Sequence, residues 1–302
     1  MPAGLLGIED LPRNEIEAIL HRAKDFQPAR NRTFSQLDTR RGRMVVLLFL
    51  EPSTRTRTSF EIAARRLGAE AVTISGSGSS LTKGESLVDT LNTLAAMRPD
   101  AIVMRHKASG APHFLARYLN IPIINAGDGT HEHPTQALLD ARTILDRTAT
   151  LEGLRVAIIG DIAHSRVARS NIHLLSKFGV DIVLCGPAPL VPPELAHIAP
   201  GVTIEHDMNR AIKGADVIMM LRVQLERQHE PDFPRGEYFS FYGLTQEHIE
   251  LAQPGVFVMH PGPINRGREI SSEVADSQRS VILNQVENGV AVRMAVLERI
   301  LQ

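Results

Sequence analysis

Three hydroxyls and two guanidiniums occupy five consecutive positions in Ser53-Thr54-Arg55-Thr56-Arg57. Donors of these two kinds, with no acid among them, suit a tetrahedral oxyanion, most simply phosphate. A plain helix cap needs only one hydroxyl. Three further groups can do chemistry. Lys83 ends a Gly/Ser-rich stretch that begins at Ser75, where a mobile loop could carry its cation over an anion. His131-Glu132-His133 raises the question of a metal, but no third or fourth ligand follows at suitable spacing, so none is expected, and His131 and Glu132 read as solvating the loop. Arg222 and Gln224, two apart, would share one face if the preceding strand continued through them.

These residues need elements to hold them. The apolar run Met44 to Leu50 reads as a buried strand. Phe60, Ala63, Ala64 and Leu67 follow at helical spacing. Strand, tight loop and helix place the Ser53 stretch at a helix amino end, where free N–H groups and the dipole favour an anion. The same alternation recurs along the chain. Strands are expected at 69–74, 100–106, 121–125, within 151–161 ahead of a glycine turn, 180–184, 202–204, 216–220 and 255–259. Arg105 falls at a strand's carboxyl end, where ligands collect in open α/β sheets. A first helix is expected to be capped by Asp10 and to bury Ile16, Ile19, Leu20 and Ala23. Arg40, Arg41 and Arg43 read as a solvated edge, with an oligomer contact as the alternative, and residues 225–243 as a polar surface loop. A helix from Gln136, with Pro134 at its first position, bridges two domains, and one ending near Leu301 returns to the first. The fold class is therefore α/β: two doubly wound domains, each with a mainly parallel sheet flanked by helices, joined by two interdomain helices.

Composition removes several classes of function. The 302 residues carry 33 Lys+Arg against 34 Asp+Glu, and no basic run interleaved with aromatics, so nucleic acid is not an expected partner. No apolar run reaches membrane-spanning length, and the first ten residues lack a secretory pattern. Cys185 is the only cysteine and reads as a small core residue, so no internal disulfide is expected. A cytoplasmic protein is the default. After Gly160 no second or third glycine follows through Arg169, which argues against a dinucleotide site and a nicotinamide oxidoreductase.

Phe49-Leu50-Glu51-Pro52-Ser53-Thr54-Arg55-Thr56-Arg57-Thr58-Ser59-Phe60-Glu61 closely resembles the carbamoyl phosphate loop of the transcarbamoylases. His133-Pro134-Thr135-Gln136 is a second hallmark, and Lys83-Gly84-Glu85 a third. The resemblance covers nearly the whole chain. It implies a carbamoyl phosphate-binding domain at 1–134 and 287–302, and an aspartate-binding domain at 135–286. Arg222-Val223-Gln224 matches the branch of the family that uses L-aspartate. The ornithine-using branch usually carries lysine in place of Glu51 and a cysteine in its late turn, where this chain has His260-Pro261-Gly262-Pro263. Arg166, Arg222 and Lys83 would also be a poor setting for ornithine's ammonium group.

The implied reaction is carbamoyl transfer from carbamoyl phosphate to L-aspartate, a step of pyrimidine biosynthesis, with no cofactor. By resemblance Ser53, Thr54, Arg55, Thr56 and Arg105 hold the phosphate. Arg55, Thr56, Arg105 and His133 donate to the carbamoyl oxygen. Gln136 and the backbone of Pro261 and Gly262 face the carbamoyl amide, although better-known members often have leucine at the glycine position. Arg166, Arg222, Gln224 and Lys83 bind the carboxylates of L-aspartate. Ser79 (with Ser80 competing for the role) and Lys83 reach in from a neighbouring subunit, which implies a homotrimer with shared sites. Higher assembly with dihydroorotase-like or regulatory chains is compatible with Ile264 to Ile270. A scaffold protein that kept the fold and lost its chemistry is the rival class, and the intact set of site residues argues against it.

Overall fold

The structure, a computed structural model, describes residues 4–27, 37–76, 87–223 and 237–302. The chain divides into two compact units: Met1–Leu139 with Glu287–Gln302, and Asp140–Val286.

The first unit holds α1 (Arg13–Asp25), β1 (Met44–Phe49), α2 (Thr54–Arg66), β2 (Glu70–Ser75), α3 (Leu87–Ala96), β3 (Ala101–His106), α4 (Ala111–Ala116) and β4 (Ile123–Asp128). α5 (Pro134–Leu145) begins in it and crosses the unit boundary. The strands pair in parallel in the order β2-β1-β3-β4. β1 is buried from Val45 to Phe49, as a strand covered on both faces must be. Each such side chain taken from water stabilises the fold by about 1.5–3 kcal/mol.

The free edge of β4 is strapped by the chain's first described residues. Leu5 donates to the Ile123 carbonyl at 2.9 Å and accepts from Asn125 at 2.8 Å. Glu132, read from sequence together with His131 as solvating a loop, is instead 1% exposed. Its carboxylate accepts the backbone N–H of Ile8 (2.8 and 2.9 Å) and of Glu9 (3.1 Å).

The second unit holds β5 (Arg155–Ile159), α6 (Arg166–Ser176), β6 (Asp181–Cys185), β7 (Val202–Ile204), α7 (Met208–Ile212), β8 (Val217–Met220), α8 (Tyr238–Tyr242), α9 (Gln246–Leu251), β9 (Phe257–Met259) and α10 (Ser272–Ala275). α11 (Ile282–Ile300) starts here and ends among first-unit residues. Its five strands are all parallel, in the order β7-β6-β5-β8-β9. One core gathers Ala157, Ile159, Val183, Ile218, Met220 and Val258 from four of the strands. Cys185 is buried there, and burial pushes its thiol up to about 12.

Two parallel α/β units match the fold class read from sequence. Three further local readings are revised. Pro12, not Asp10, stands at the N-cap of α1, and no side chain caps that helix. The edge at Arg40 to Arg43 is solvated only in part: Arg41 is exposed and the Arg43 side chain is 43% exposed, but Arg40 donates to the Glu298 carbonyl, and Arg43 pairs with Asp100 and donates to the Gln302 carbonyl. Residues 238–242 are helical, with Tyr238 and Tyr242 buried. These tyrosines are four apart and fall on one face, so the helix packs where a loop was expected.

Candidate active site

Each sheet has one place where the chain's winding reverses, and the cationic candidates among the described residues lie at the ends of the strands that flank it. In the first unit β1 feeds β2 on one side while β3 and β4 are laid down on the other, so the switch lies between β1 and β3. Ligands bind at such points, outside the carboxyl ends of the strands. The Ser53 stretch leaves β1 at this point and opens α2 at Thr54.

Ser53 is the N-cap residue of α2, with extended backbone, yet its hydroxyl makes no cap hydrogen bond. The ordinary role for a serine here is therefore not the one it fills. The first-turn amides of a helix have no partner within the helix. The first turn holds no acid. Thr54 and Arg55 are exposed, Ser53 is half-buried and Thr56 is buried. Backbone donors, hydroxyls and a guanidinium are thus concentrated on one helix turn.

Arg105 arrives from the neighbouring strand. It pairs in register with Phe49, and its carbonyl accepts the Leu50 amide at 2.9 Å. Its guanidinium is fixed twice, by Glu51 Oε1 at 2.8 Å and by the Ala126 carbonyl at 3.1 Å. This locks a nearly buried cation against the ends of β1 and β4. The sequence reading uses Glu51 only as a marker of the branch, and nothing in its spacing to Arg105 signals the pairing.

β4 delivers the third group. Asp128 is fully buried, and its carboxylate accepts from Asn125 Nδ2 (2.8 Å), Gly110 N (2.6 Å) and Glu132 N (3.1 Å), and pairs with His131 Nδ1 at 3.0 Å. Burial pushes this carboxyl up, but the hydrogen bonds from His131, Asn125 and Gly110 outweigh it and hold the group below its ordinary range. The hydrogen bond to Asp128 raises His131 in turn. The turn so fixed presents His133, whose carbonyl accepts from Gln136 and Ala137 as α5 begins at Pro134. Pro134 stands at the first helical position, as expected. His133 and Gln136 are both buried.

The trio His131, Glu132 and His133 is not what the fold assembles. Among the described residues, the ligating atoms that come within 4.8 Å of one another belong to His113, Asp128 and His131. Both Asp128 oxygens are already occupied by N–H donors, so this cluster acts as a lock on the turn.

In the second unit β5, β6 and β7 wind one way and β8 and β9 the other, so the switch lies between β5 and β8. Asp161, fully buried, accepts the His164 amide at 3.2 Å and pairs with its ring at 2.8 Å, shaping the turn after β5. Ser165 then caps α6 through Ala168 N, and Arg166 is its first residue, 4% exposed. Arg222 follows β8, half-buried, and Pro261 and Gly262 follow β9. Gly160 has a left-handed φ of 138° and lies so close to β8 that a Cβ would meet the Leu221 carbonyl oxygen at 2.9 Å. Only glycine lets the turn toward Arg166 pass the strand end that carries Arg222. Ser79, Ser80, Lys83 and Gln224 lie outside the described residues.

Two parallel α/β units, each with cationic side chains at its switch point, define a protein class built to handle anionic small molecules. Two family profiles cover the chain. The aspartate/ornithine carbamoyltransferase carbamoyl-P binding domain matches residues 4–146, and the Asp/Orn binding domain of the same family matches 152–300. The chain belongs to the aspartate/ornithine carbamoyltransferase family. It is 76% identical over 301 residues to the aspartate carbamoyltransferase catalytic subunit of Solibacter usitatus, covering 100% of both chains. It is 54% identical to that of Geobacter sulfurreducens, over 97% of this chain and 94% of the relative. Among solved structures, the aspartate transcarbamoylase of Trypanosoma cruzi in complex with carbamoyl aspartate and phosphate matches with a TM-score of 0.83 and 32% identity. That match covers 98% of this chain and 94% of the other. The ornithine carbamoyltransferase of Thermus thermophilus gives a TM-score of 0.87 at 27% identity, with all of both chains covered. The backbone is thus common to both branches of the family.

Proposed function

We propose that this chain transfers the carbamoyl group of carbamoyl phosphate to the amino group of L-aspartate, giving N-carbamoyl-L-aspartate and phosphate, in pyrimidine biosynthesis. The observation that carries the reading is the start of α2. An uncapped Ser53 and the side chains of Thr54, Arg55 and Thr56 stand at the β1/β3 switch, beside an Arg105 fixed by Glu51. The 76% identity to an aspartate carbamoyltransferase catalytic subunit favours L-aspartate as acceptor.

In this mechanism the phosphate of carbamoyl phosphate lies on Ser53, Thr54, Arg55, Thr56 and Arg105. The carboxylates of L-aspartate are bound by Arg166, Arg222, Gln224 and Lys83. Its neutral amine attacks the carbamoyl carbon, a C–N bond forms, and the C–O bond to phosphate breaks. Arg55, Thr56, Arg105 and His133 donate to the oxygen that gains charge, the kind of fixed electrostatic support that contributes most when donors are set beforehand. Gln136 and the carbonyls of Pro261 and Gly262 orient the carbamoyl amide. The departing phosphate takes the proton released by the amine, so no side chain is assigned as general base. Holding two substrates in register can supply on the order of 7–11 kcal/mol of the acceleration. Ser79 and Lys83 come from the neighbouring subunit of a homotrimer, and the protein works in the cytoplasm.

The test is carbamoyl transfer by the purified chain with L-aspartate and L-ornithine in parallel. Formation of N-carbamoyl-L-aspartate alone is expected. Citrulline would overturn the acceptor assignment at Arg222. Absence of both products from a verified trimer would overturn the reaction.

A further inference from the structure

A run of buried polar groups in the second unit ends on the turn after β9. Asp140, Asn171, His260, Glu269 and Gln285 are each at most 3% exposed. Asn171 Nδ2 donates to Asp140 Oδ2 at 2.8 Å, and Gln285 Nε2 donates to Asp140 Oδ1 at 2.7 Å. Gln285 Oε1 accepts the His260 amide at 2.9 Å. His260 Nδ1 accepts the Gly262 amide at 2.8 Å, and Nε2 lies 3.2 Å from Glu269 Oε1. The same Glu269 oxygen accepts the Asn265 amide at 2.7 Å.

Every orientation in this run is determined. A backbone N–H can only donate, so the Gly262 contact makes His260 Nδ1 an acceptor and puts the ring proton on Nε2. That proton is donated to Glu269. The Gln285 amide is fixed in the same way, its oxygen toward the His260 N–H and its nitrogen toward a carboxylate. Buried donor–acceptor pairs oriented in this manner impose one geometry on the groups they join.

The consequence falls on the backbone. The amides of His260 and Gly262 are both drawn inward, and Pro261 and Pro263 have none. Among the described residues, the carbonyls of Pro261 and Gly262 accept no hydrogen bond. The turn therefore presents acceptors alone, the complement of a planar amide with two N–H bonds.

We propose that Glu269 and Gln285 are positioning residues for carbamoyl transfer. Neither touches substrate. Together they fix the His260 tautomer and the 260–262 backbone, so that the Pro261 and Gly262 carbonyls are held where the carbamoyl NH₂ is oriented. This rests on the reaction proposed above.

The test pairs a spectroscopic readout with kinetics. The ¹⁵N shifts of the His260 ring in the wild-type protein are expected to show protonation at Nε2 and a bare Nδ1. Glu269→Leu and Gln285→Leu are expected to lower kcat about tenfold or more, with affinity for inorganic phosphate unchanged within twofold. Glu269→Gln, which still offers an acceptor to Nε2–H, is expected to recover at least a third of kcat and to keep the wild-type ring shifts. A His260 protonated at Nδ1 overturns the proposal, and this result needs no variant to fold. A folded leucine variant with wild-type kcat overturns it, and so does a Glu269→Gln protein as impaired as Glu269→Leu. If no carbamoyl transfer occurs at all, the parent reaction fails, while the ring shifts still report on the tautomer.

Discussion

Glu51 and Arg105 meet at 2.8 Å across the ends of two adjacent strands, with side chains only 21% and 11% exposed. The pair holds a guanidinium in a fixed plane beside the start of α2, and the Ala126 carbonyl holds it from another side. A lysine carries the charge but cannot bridge two acceptors in one plane. Arg105→Lys should therefore lower kcat/KM by about 10²-fold while melting near the wild-type temperature. Activity within a few-fold of wild type would remove Arg105 from the site.

Arg55 is exposed, so its loss should leave the fold intact. Arg55→Ala should lower kcat by about 10²-fold or more, the usual cost of deleting an oxyanion donor. Normal turnover would remove the anion reading of the Ser53 stretch. Mixing Arg55→Ala chains with Lys83→Ala chains checks the shared site. Hybrid oligomers should regain part of the activity that neither parent has, and verified hybrids without activity would show that sites are not shared.

Glu132 should be a stability residue. Glu132→Ala leaves the Ile8 and Glu9 amides without their carboxylate, and hydrogen bonds to a charged group contribute about 1.5–3 kcal/mol each. The expected loss is of that order, read by denaturant unfolding, with faster hydrogen exchange at Ile8. Unchanged exchange at Ile8 would show that the strap does not depend on this side chain.

His131 and Asp128 predict opposite pH limits for one turn. His131 is raised above its ordinary 6.5, chiefly by its hydrogen bond to Asp128, so its contribution is complete below about 6.5 and is lost as pH rises through the folded value. Asp128 is held below its ordinary 3.8, so its contribution is present above that value and fades as pH falls through the folded one. The melting temperature of wild type minus that of His131→Gln should shrink between pH 6 and 9. A difference that stays level over this range would show that the pair is not charged.

Most of the framework was legible because parallel strands are buried on both faces. Val45 to Phe49 and Ile182 to Cys185 stand out as apolar runs whatever their neighbours are. The anion loop was legible because its donors are consecutive. Contacts set by distant residues were not. Glu132 serves Ile8 across 124 positions, and Gln285 serves His260 across 25. No local spacing encodes either pairing. Asp10 looked like a cap because its type is right, but helix α1 starts at Arg13, behind Pro12. The residues at 238–242 were hidden by the polar composition of the segment before them.

The two sheets put their working groups at separate switch points, one after β1 and β3, the other after β5, β8 and β9. In the proposed reaction the Ser53 stretch and Arg105 meet the leaving group, Arg166 and Arg222 after β5 and β8 meet the nucleophile, and the turn after β9 holds the carbamoyl amide. A lineage that needs a new nucleophile can therefore rewrite the ends of β5 and β8 and inherit the leaving-group machinery untouched. Divergence between acceptors is then a matter of editing one half of the chain, and donor chemistry is the part that stays heritable.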